Sequence, residues 1–457
     1  MDESLSIASS SLDAMRAAMA ATSENLANAQ TPGYVDESAQ LAALPGGDTL
    51  GAGDGVQVTT VAQATNVMLA TNNWQAQASL SDLSSLQQVL TGVENLFPLG
   101  NSSSSTSGTS ANGSLAGDLA SFWSQWDQVA ADPTAAAPRA ELVTMAQGIT
   151  QSLNETAASL SSMASSTQGQ LSQQVGQVNG LLSQAAQLNQ SILTVEGSGA
   201  DANQLVDQLH AVVGQLAQLA GVSVATQQNG TATISIGGIA LVQQDQATSL
   251  ALSSSGGTTS VTTGPGGVAV PVASGSIAGL LSGLNQYLPQ FTSALDSVAA
   301  ALASTVNTQL AAGYTSTGAS GATEPLFTGS TAATIALNPA VVSDPMQLAA
   351  AASSGAAGAN DGTNAQAMAE LGSSTAAPDG LYQQLIGNLG AVTQNVNSQV
   401  GVQTSVADQA EQSLQAVTGV DQDHELTNLM QFQQIYQASA KLISVVDTAI
   451  QSLLSAV

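Results

Sequence analysis

The chain has 457 residues, enough for about two to four domains with cores of their own, yet only 7% of it is charged, against roughly 25% in an average globular protein. Three cations (Arg16, Arg139 and Lys441) stand against 31 acids, a net charge of −28, which excludes a phosphate-binding surface for nucleic acid and any attraction to an anionic membrane. Cysteine is absent, no apolar run approaches the ~20 residues of a membrane span, and MDESLSIASS has acids where a secretory signal needs positive charge, so a cytoplasmic protein or one exported without a cleaved signal is expected.

Residues 4–28 read as helix, with Leu5, Ala8, Leu12, Met15, Met19, Thr22 and Leu26 at alternating steps of 3 and 4. The helix meets a stop in ENLANAQTPGY. Asn25 and Asn28 close its last turns, Asn28 being a residue that tolerates the left-handed backbone of a helix end. Pro32 pushes Thr31 out of the α region, and Pro32-Gly33 suits the centre of a type II turn, where glycine supplies the positive φ. Tyr34 then follows a fixed turn. The segment is either a helix stop with a packed tyrosine or a rigid elbow into the next layer.

The glycines at 51, 53 and 55 (LGAGDGVQV) precede a strand-like run and not a helix, the wrong context for a dinucleotide loop. Leu80, Leu83, Leu86, Leu90 and Val93 mark a helix closed by Phe97-Pro98, and NSSSSTSGTSANGS (101–114) reads as a flexible loop. Leu119, Phe122, Trp123 and Trp126 open a helix broken at Asp132-Pro133; a very long one follows over about 138–195, and another over 202–220. The period then becomes alternating. VSVATQQNGTATISIGGIALV (222–242) carries Asn229-Gly230 between two strand-like runs, a strong hairpin signal, and more β structure follows to 273. Helix returns over 277–313 and 380–417, around an irregular Gly/Ala-rich region at 314–378.

The last helix repeats the pattern of the first, with Leu429, Phe432, Tyr436, Ser439, Ile443, Val446, Ile450 and Leu453 at steps of 3 and 4. Each end has one apolar stripe that it cannot bury alone. The two stripes either pair with each other as a coiled-coil-like layer or pack separately on a globular body.

The residues offer little chemistry. His210 lies within a helix and reads as a packing residue, and the acids around His424 (DQDHE) suit the dipole at a helix start better than a calcium loop, whose glycine and distal glutamate are missing. No G-x-S-x-G, S-x-x-K or H-E-x-x-H occurs. No catalytic residue, metal site or cofactor is expected.

At N-L-A-N-x-x-T-P-G-Y the chain resembles the axial proteins of the bacterial flagellum, and LTNLMQFQQIYQASAKLISVVDTAIQSLL (426–454) looks like the partner helix of that group. Within the group it resembles the hook-associated protein 1 family of hook–filament junction proteins, through FWSQWDQVAADPTAAAPRAELVTMAQGITQSLN (122–154), QVNGLLSQAAQLNQSI (177–192), NQLVDQLHAVVGQLAQLAGVSV (203–224) and LFTGSTAATIALNPAVVSDPMQLAAA (326–351). It departs where Val35-Asp36-Glu37 replace a small residue and arginine.

The resemblance implies a structural, non-enzymatic protein of the flagellum, exported through the type III route, that forms a ring at the junction and permits filament assembly. Implied partners are the hook protein, the second junction protein and an export chaperone at the C-terminal helix. Rival readings are another axial protein such as the hook protein, or a secreted acidic adhesin or enzyme. The expected fold is mainly α with a small inserted β module. It divides into an inner domain of residues 1–34 with 420–457, a helical middle domain of 35–220 with 277–419, and a β module at 221–276. The expected assembly interface comprises Leu5, Leu12, Met15, Met19, Leu26, Leu429, Phe432, Tyr436, Ile443, Val446, Ile450 and Leu453, with Asn25, Asn28, Thr31, Pro32, Gly33 and Tyr34 as the elbow.

Overall fold

A computed structural model describes residues 2–455 apart from 32, 46–54, 98–113, 199, 228, 355–359 and 373–376. The expected loop at 101–114 lies almost wholly outside the described residues, as do Pro32, Gly51 and Gly53 of the motifs above.

Helix α1 (Asp2–Asn28) is followed by an antiparallel hairpin, β1 (Glu37–Leu44) and β2 (Gly55–Gln63), which packs on it. The spacing places residues 35–66 in the helical middle domain; the structure instead lays this hairpin along α1. Ser10 and Asn25 both reach the hairpin, and Ala14, Ala18 and Ala21 share their helix face, so small side chains let the strands approach closely.

The body begins with α2 (Val67–Glu94), started by the Asn66 side chain on the Leu69 N–H, and α3 (Leu115–Ala131), started by Ser114 on Gly117. Helix α4 (Ala136–Gly197) runs for 62 residues, roughly 90 Å, and is the spine of the molecule. Its buried row from Leu142 through Ile149, Leu160, Leu171 and Leu182 to Ile192 meets α3, then the later helices, then the strands. Helix α5 (Asn203–Ala220) folds back on α4.

Two small antiparallel sheets follow, as the change of period predicts. The first is a meander of β3 (Val222–Thr226), β4 (Ala232–Ile236), β5 (Ile239–Gln243) and β6 (Gln246–Ala247); the second holds β7 (Leu250–Ser255), β8 (Thr258–Thr263) and β9 (Ala269–Val270). Asn229-Gly230 sits in the longer loop between Thr226 and Ala232. Among the two-residue turns, Gly237-Gly238 and Gly256-Gly257 have both φ values positive, which matches the strands' own twist.

Helix α6 (Ser276–Ser282) leads through a π turn at 283–287 into α7 (Leu288–Ala311). The region expected to be irregular is more ordered than its Gly/Ala content suggests. It contains the strand pair β10 (Phe327–Thr328) and β11 (Ala336–Leu337), and the helices α8 (Pro339–Ser343) and α9 (Thr363–Leu371). Arg139 explains part of this. Its fully buried guanidinium donates to the Pro133 and Leu348 carbonyls, stapling the α3–α4 turn to the segment after α8, and burial lowers its pKa. Phe122 packs edge-on against Trp123 and Trp126 and lies tilted against Phe327, which ties α3 to β10. Helix α10 (Pro378–Thr418) returns along α2 and α7, and α11 (Gln422–Ser455) returns along α1.

Strands are fastened to helices by asparagines. Asn179 takes the N–H of Leu250 (2.6 Å) and gives to its C=O (2.9 Å), and Asn189 does the same to Ala232 (2.9 and 2.8 Å) while also donating to the Gln244 carbonyl. Asn285, aimed by the π turn, clasps Thr259 at 2.8 Å both ways, and Asn307 clasps Phe327 at 3.1 and 2.7 Å. Each amide completes a strand start as a neighbouring strand would. Asn189→Leu should therefore leave three buried backbone groups without partners and lower stability by about 2–3 kcal/mol. Urea unfolding with hydrogen exchange at the Ala232 amide would measure this; an unchanged exchange rate there would refute the clamp.

Candidate functional site

The two ends of the chain lie antiparallel. Ser11 and Ser439 hydroxyls meet at 3.0 Å, Arg16 donates to the Tyr436 hydroxyl at 3.4 Å and stands over its ring, and Asn25 reaches Glu425 at 3.2 Å. Arg16 also makes an exposed ion pair with Asp13.

On α1, Met15 is buried, Leu12, Met19 and Leu26 are half-buried, and Leu5 is 40% exposed. On α11, Leu429, Phe432, Tyr436, Ile443, Val446 and Ile450 are all half-buried, while the side chain of Leu453 lies outside the described residues. Every described member of the C-terminal stripe is thus only partly covered. A second apolar row on α11 is more open still. Met430 is 60% exposed, Ile435 and Leu442 are 44% exposed and Val445 is 55% exposed. Sequence reasoning missed this row because it flanks the regular stripe; the signal for it was the continuing 7-residue step from Ile435 to Leu442.

The elbow is built around Asn25, which is fully buried. Its Nδ2 donates to Asp36 Oδ1 (2.6 Å), the Glu37 carbonyl (2.8 Å) and Glu425 Oε2 (3.2 Å). Its Oδ1 accepts from the Tyr34 hydroxyl (2.9 Å) and the Glu37 N–H (3.0 Å). Tyr34 is placed by the turn before it, since its N–H donates to the Thr31 carbonyl at 3.1 Å and Gly33 has φ +82°. Thr31 in turn rests on Asn28 through both backbone and side chain, and Asn28 donates to the Glu24 carbonyl. The Asp36 N–H reaches the Thr418 carbonyl at the end of α10, so one short segment joins α1, the hairpin, α10 and α11.

Burial raises the pKa of Asp36, with Glu425 adding to the effect and His424 and the Asn25 amide opposing it. Burial likewise raises the Tyr34 phenol above its ordinary value, with Glu37, Glu24, Asp207 and Asp36 adding to it. Neither shift places a proton donor in a pocket. Asp421 caps α11 through the Asp423 and His424 N–H groups, and His210 packs edge-on against Trp74 with burial lowering its pKa. Among the described residues, no group of three or more acids or histidines is arranged to hold a metal ion, and no helix is long and apolar enough to cross a membrane. An open groove of about 620 Å³ between α2 and α10, lined by Leu69, Val402, Val406 and Ala410 among others, is apolar.

Paired terminal helices with half-covered apolar stripes, a fixed elbow and a folded helical body define the architecture of the chain. Comparison with known proteins is specific. Residues 104–323 match the family model for the helical domain of flagellar hook-associated protein FlgK, and residues 411–456 match that for the C-terminal segment of flagellar basal body rod proteins. The flagellar hook-associated protein 1 of Escherichia coli K12 is 25% identical over 558 aligned residues, covering 100% of both chains. That of Bacillus subtilis 168 is 25% identical, covering 99% of this chain and 97% of its own. That of Salmonella typhimurium LT2 is 28% identical over 70% of this chain and 59% of its own length. A solved structure of the flagellar hook junction protein FlgK from Burkholderia pseudomallei shares the fold, with a TM-score of 0.63 at 17% identity over 76% of this chain and 100% of that one. The chain belongs to the flagellar hook-associated protein 1 family and is a structural protein of the bacterial flagellum.

Asn25→Ala should loosen the hairpin and both terminal helices together, at about 2–3 kcal/mol, since several buried partners lose their bonds at once. Asn25→Asp should be worse at neutral pH, because it sets a third carboxylate beside Asp36 and Glu425. Gly33→Ala should cost only about 1 kcal/mol, all of it backbone strain, since no atom lies within 4 Å of the added methyl. Limited proteolysis of β1–β2 would rank the three; Gly33→Ala as damaging as Asn25→Ala would contradict the hub.

Proposed function

We propose that this chain forms the junction between the flagellar hook and filament, as a ring of subunits packed through α1 and α11, and that filament growth starts on it. The observation that carries this reading is the half-covered seam with a second open apolar row beside it. A monomer has no use for Ile435, Leu442 and Val445 facing water, whereas a layer of neighbouring terminal helices would cover them. The similarity to hook-associated and hook junction proteins supports this position.

The elbow hub makes the terminal layer turn as one piece, which suits a joint between a flexible hook and a stiff filament. The hook protein and the second junction protein are the expected neighbours. An export chaperone would cover the same α11 rows before secretion, which we take to follow the flagellar type III route without a cleaved signal. We divide the chain into a terminal layer of α1, β1–β2 and α11, a helical body, and a β module at 221–276 held by Asn179, Asn189 and Asn285. No reaction is assigned: the α2–α10 groove is lined by apolar, hydroxyl and amide side chains only, with nothing to act as acid, base or nucleophile pair.

The test uses the outer row. Ile435→Ser with Leu442→Ser should leave the monomer's melting temperature within about 2 °C, because neither residue is buried in the chain. Cells carrying it should make hooks without filaments and release flagellin into the medium. Filaments of normal number would overturn the assembly reading, and a much lower melt would place α11 in a monomer core.

A further inference from the structure

The β1–β2 hairpin meets the start of α5 through groups that are almost all acidic or neutral. Thr60 donates to Asp201 Oδ1 at 3.2 Å, Asn203 donates to the Val61 carbonyl at 2.8 Å, and Gln63 donates to Glu37 at 3.4 Å. Behind them Asp207 is half-buried, and its Oδ1 is sealed from solvent with no hydrogen-bond partner. A charged carboxylate in that position lacks both water and a donor at one oxygen.

The groups that act on Asp207 are Gln63 of β2 and Glu37 of β1, with Tyr34 of the elbow beside them. Glu37 in turn is surrounded by Gln63, by Glu24 of α1, and by Asp201 and Asn203 at the start of α5. His210 of the same helix turns toward Trp74 of α2. None of these groups is a cation. The three permanent cations are spent elsewhere: Arg16 on Asp13 and Tyr436, Arg139 on the Pro133 and Leu348 carbonyls, and Lys441 further along α11.

We propose that this contact is a proton-operated clasp. The hairpin, and with it the terminal layer, seats firmly on α5 when Asp207 and Glu37 carry protons, and loosens when both are charged. The inference concerns the isolated chain and stands whether or not the junction reading does.

Burial is the largest cause at both groups. It pushes Asp207 up to about 7, against the help of Gln63 and with Glu37 adding to it, and it raises Glu37 against the help of Gln63 and Asn203. The sign follows. A carboxyl whose folded pKa lies above its unfolded value opposes the closed contact fully above the folded pKa, and that opposition disappears as pH falls toward the ordinary carboxylate value. The clasp therefore tightens from about pH 7 down to about pH 4.

The absence of cysteine makes a direct test simple. Cysteines placed at exposed Gln57 on β2 and Gln208 on α5 would carry spin labels in the full-length chain, and pulsed dipolar spectroscopy would give the distance between them. The expected result is a distribution at pH 8 at least twice as wide as at pH 5, with the change centred near pH 7. Asp207→Asn should give the narrow distribution at both pH values, and Glu37→Gln should move the change partway, so the test does not depend on one variant folding. Asp408→Asn, on an exposed part of α10, should leave the change in place. Equal widths at pH 5 and 8 in the parent, or an unaltered transition in both Asp207→Asn and Glu37→Gln, would overturn the clasp.

Discussion

Asparagine side chains clasping single strand residues are the interaction on which the rest of this structure depends. Among the described residues five occur: Asn25 on Glu37, Asn179 on Leu250, Asn189 on Ala232, Asn285 on Thr259 and Asn307 on Phe327. In four of them the clasped residue is the first of its strand. A chain with three cations cannot register its layers by ion pairs, and the one ion pair seen among the described residues is an exposed local one. A neutral amide carries both a donor and an acceptor, so it satisfies a strand's exposed N–H and C=O without any charge. The cost of missing the register is two buried, unsatisfied backbone groups, which makes each clamp selective as well as cohesive.

The same device binds the ends to the body. Asn25 does for the terminal hairpin what Asn189 does for the β module, but with Asp36, Tyr34 and Glu425 added around it. That extra set turns a strand clamp into a joint between four elements. It also gathers acids at the boundary between the terminal layer and the body, where nothing permanent neutralises them. The body is complete without partners, with Phe122, Trp126 and Phe291 fully buried, whereas the terminal pair keeps most of its stripe half-covered.

Much of this was legible in the sequence. The stripes of α1 and α11, the length of α4 and the change of period at 222 all came from regular apolar spacing, which survives in any context where one face is buried. The positive φ at Gly33 was legible because glycine adopts that conformation without strain. Of the first hairpin, the strand-like run of β2 was legible but β1 was not, because the alanine-rich ESAQLAAL resembles helix as much as strand. The pairs in 314–378 were hidden for a related reason: strands of two residues carry no period, and their order comes from Asn307, Asn154 and Arg139 reaching in from distant helices. The clamps themselves left a faint signal, an asparagine standing where a leucine would continue a buried face, as Asn189 does beside Leu188 and Ile192.

Charge sets the last constraint. Subunits that each carry −28 repel one another, and screening at physiological salt confines that repulsion to about 8 Å without removing it. Association must therefore come from apolar surface, and it must come where repulsion is least. The terminal pair meets both conditions. It holds the open rows of α11, and it bears the exposed cations Arg16 and Lys441, while Arg139 is sealed inside the body. The rest of the surface is mostly Ser, Thr, Asn, Gln and scattered acids, and its open apolar side chains, such as Val402 and Val406 in the α2–α10 groove, have no exposed cation beside them. If copies of this chain join as proposed, the paired ends are where open apolar rows and exposed positive charge coincide.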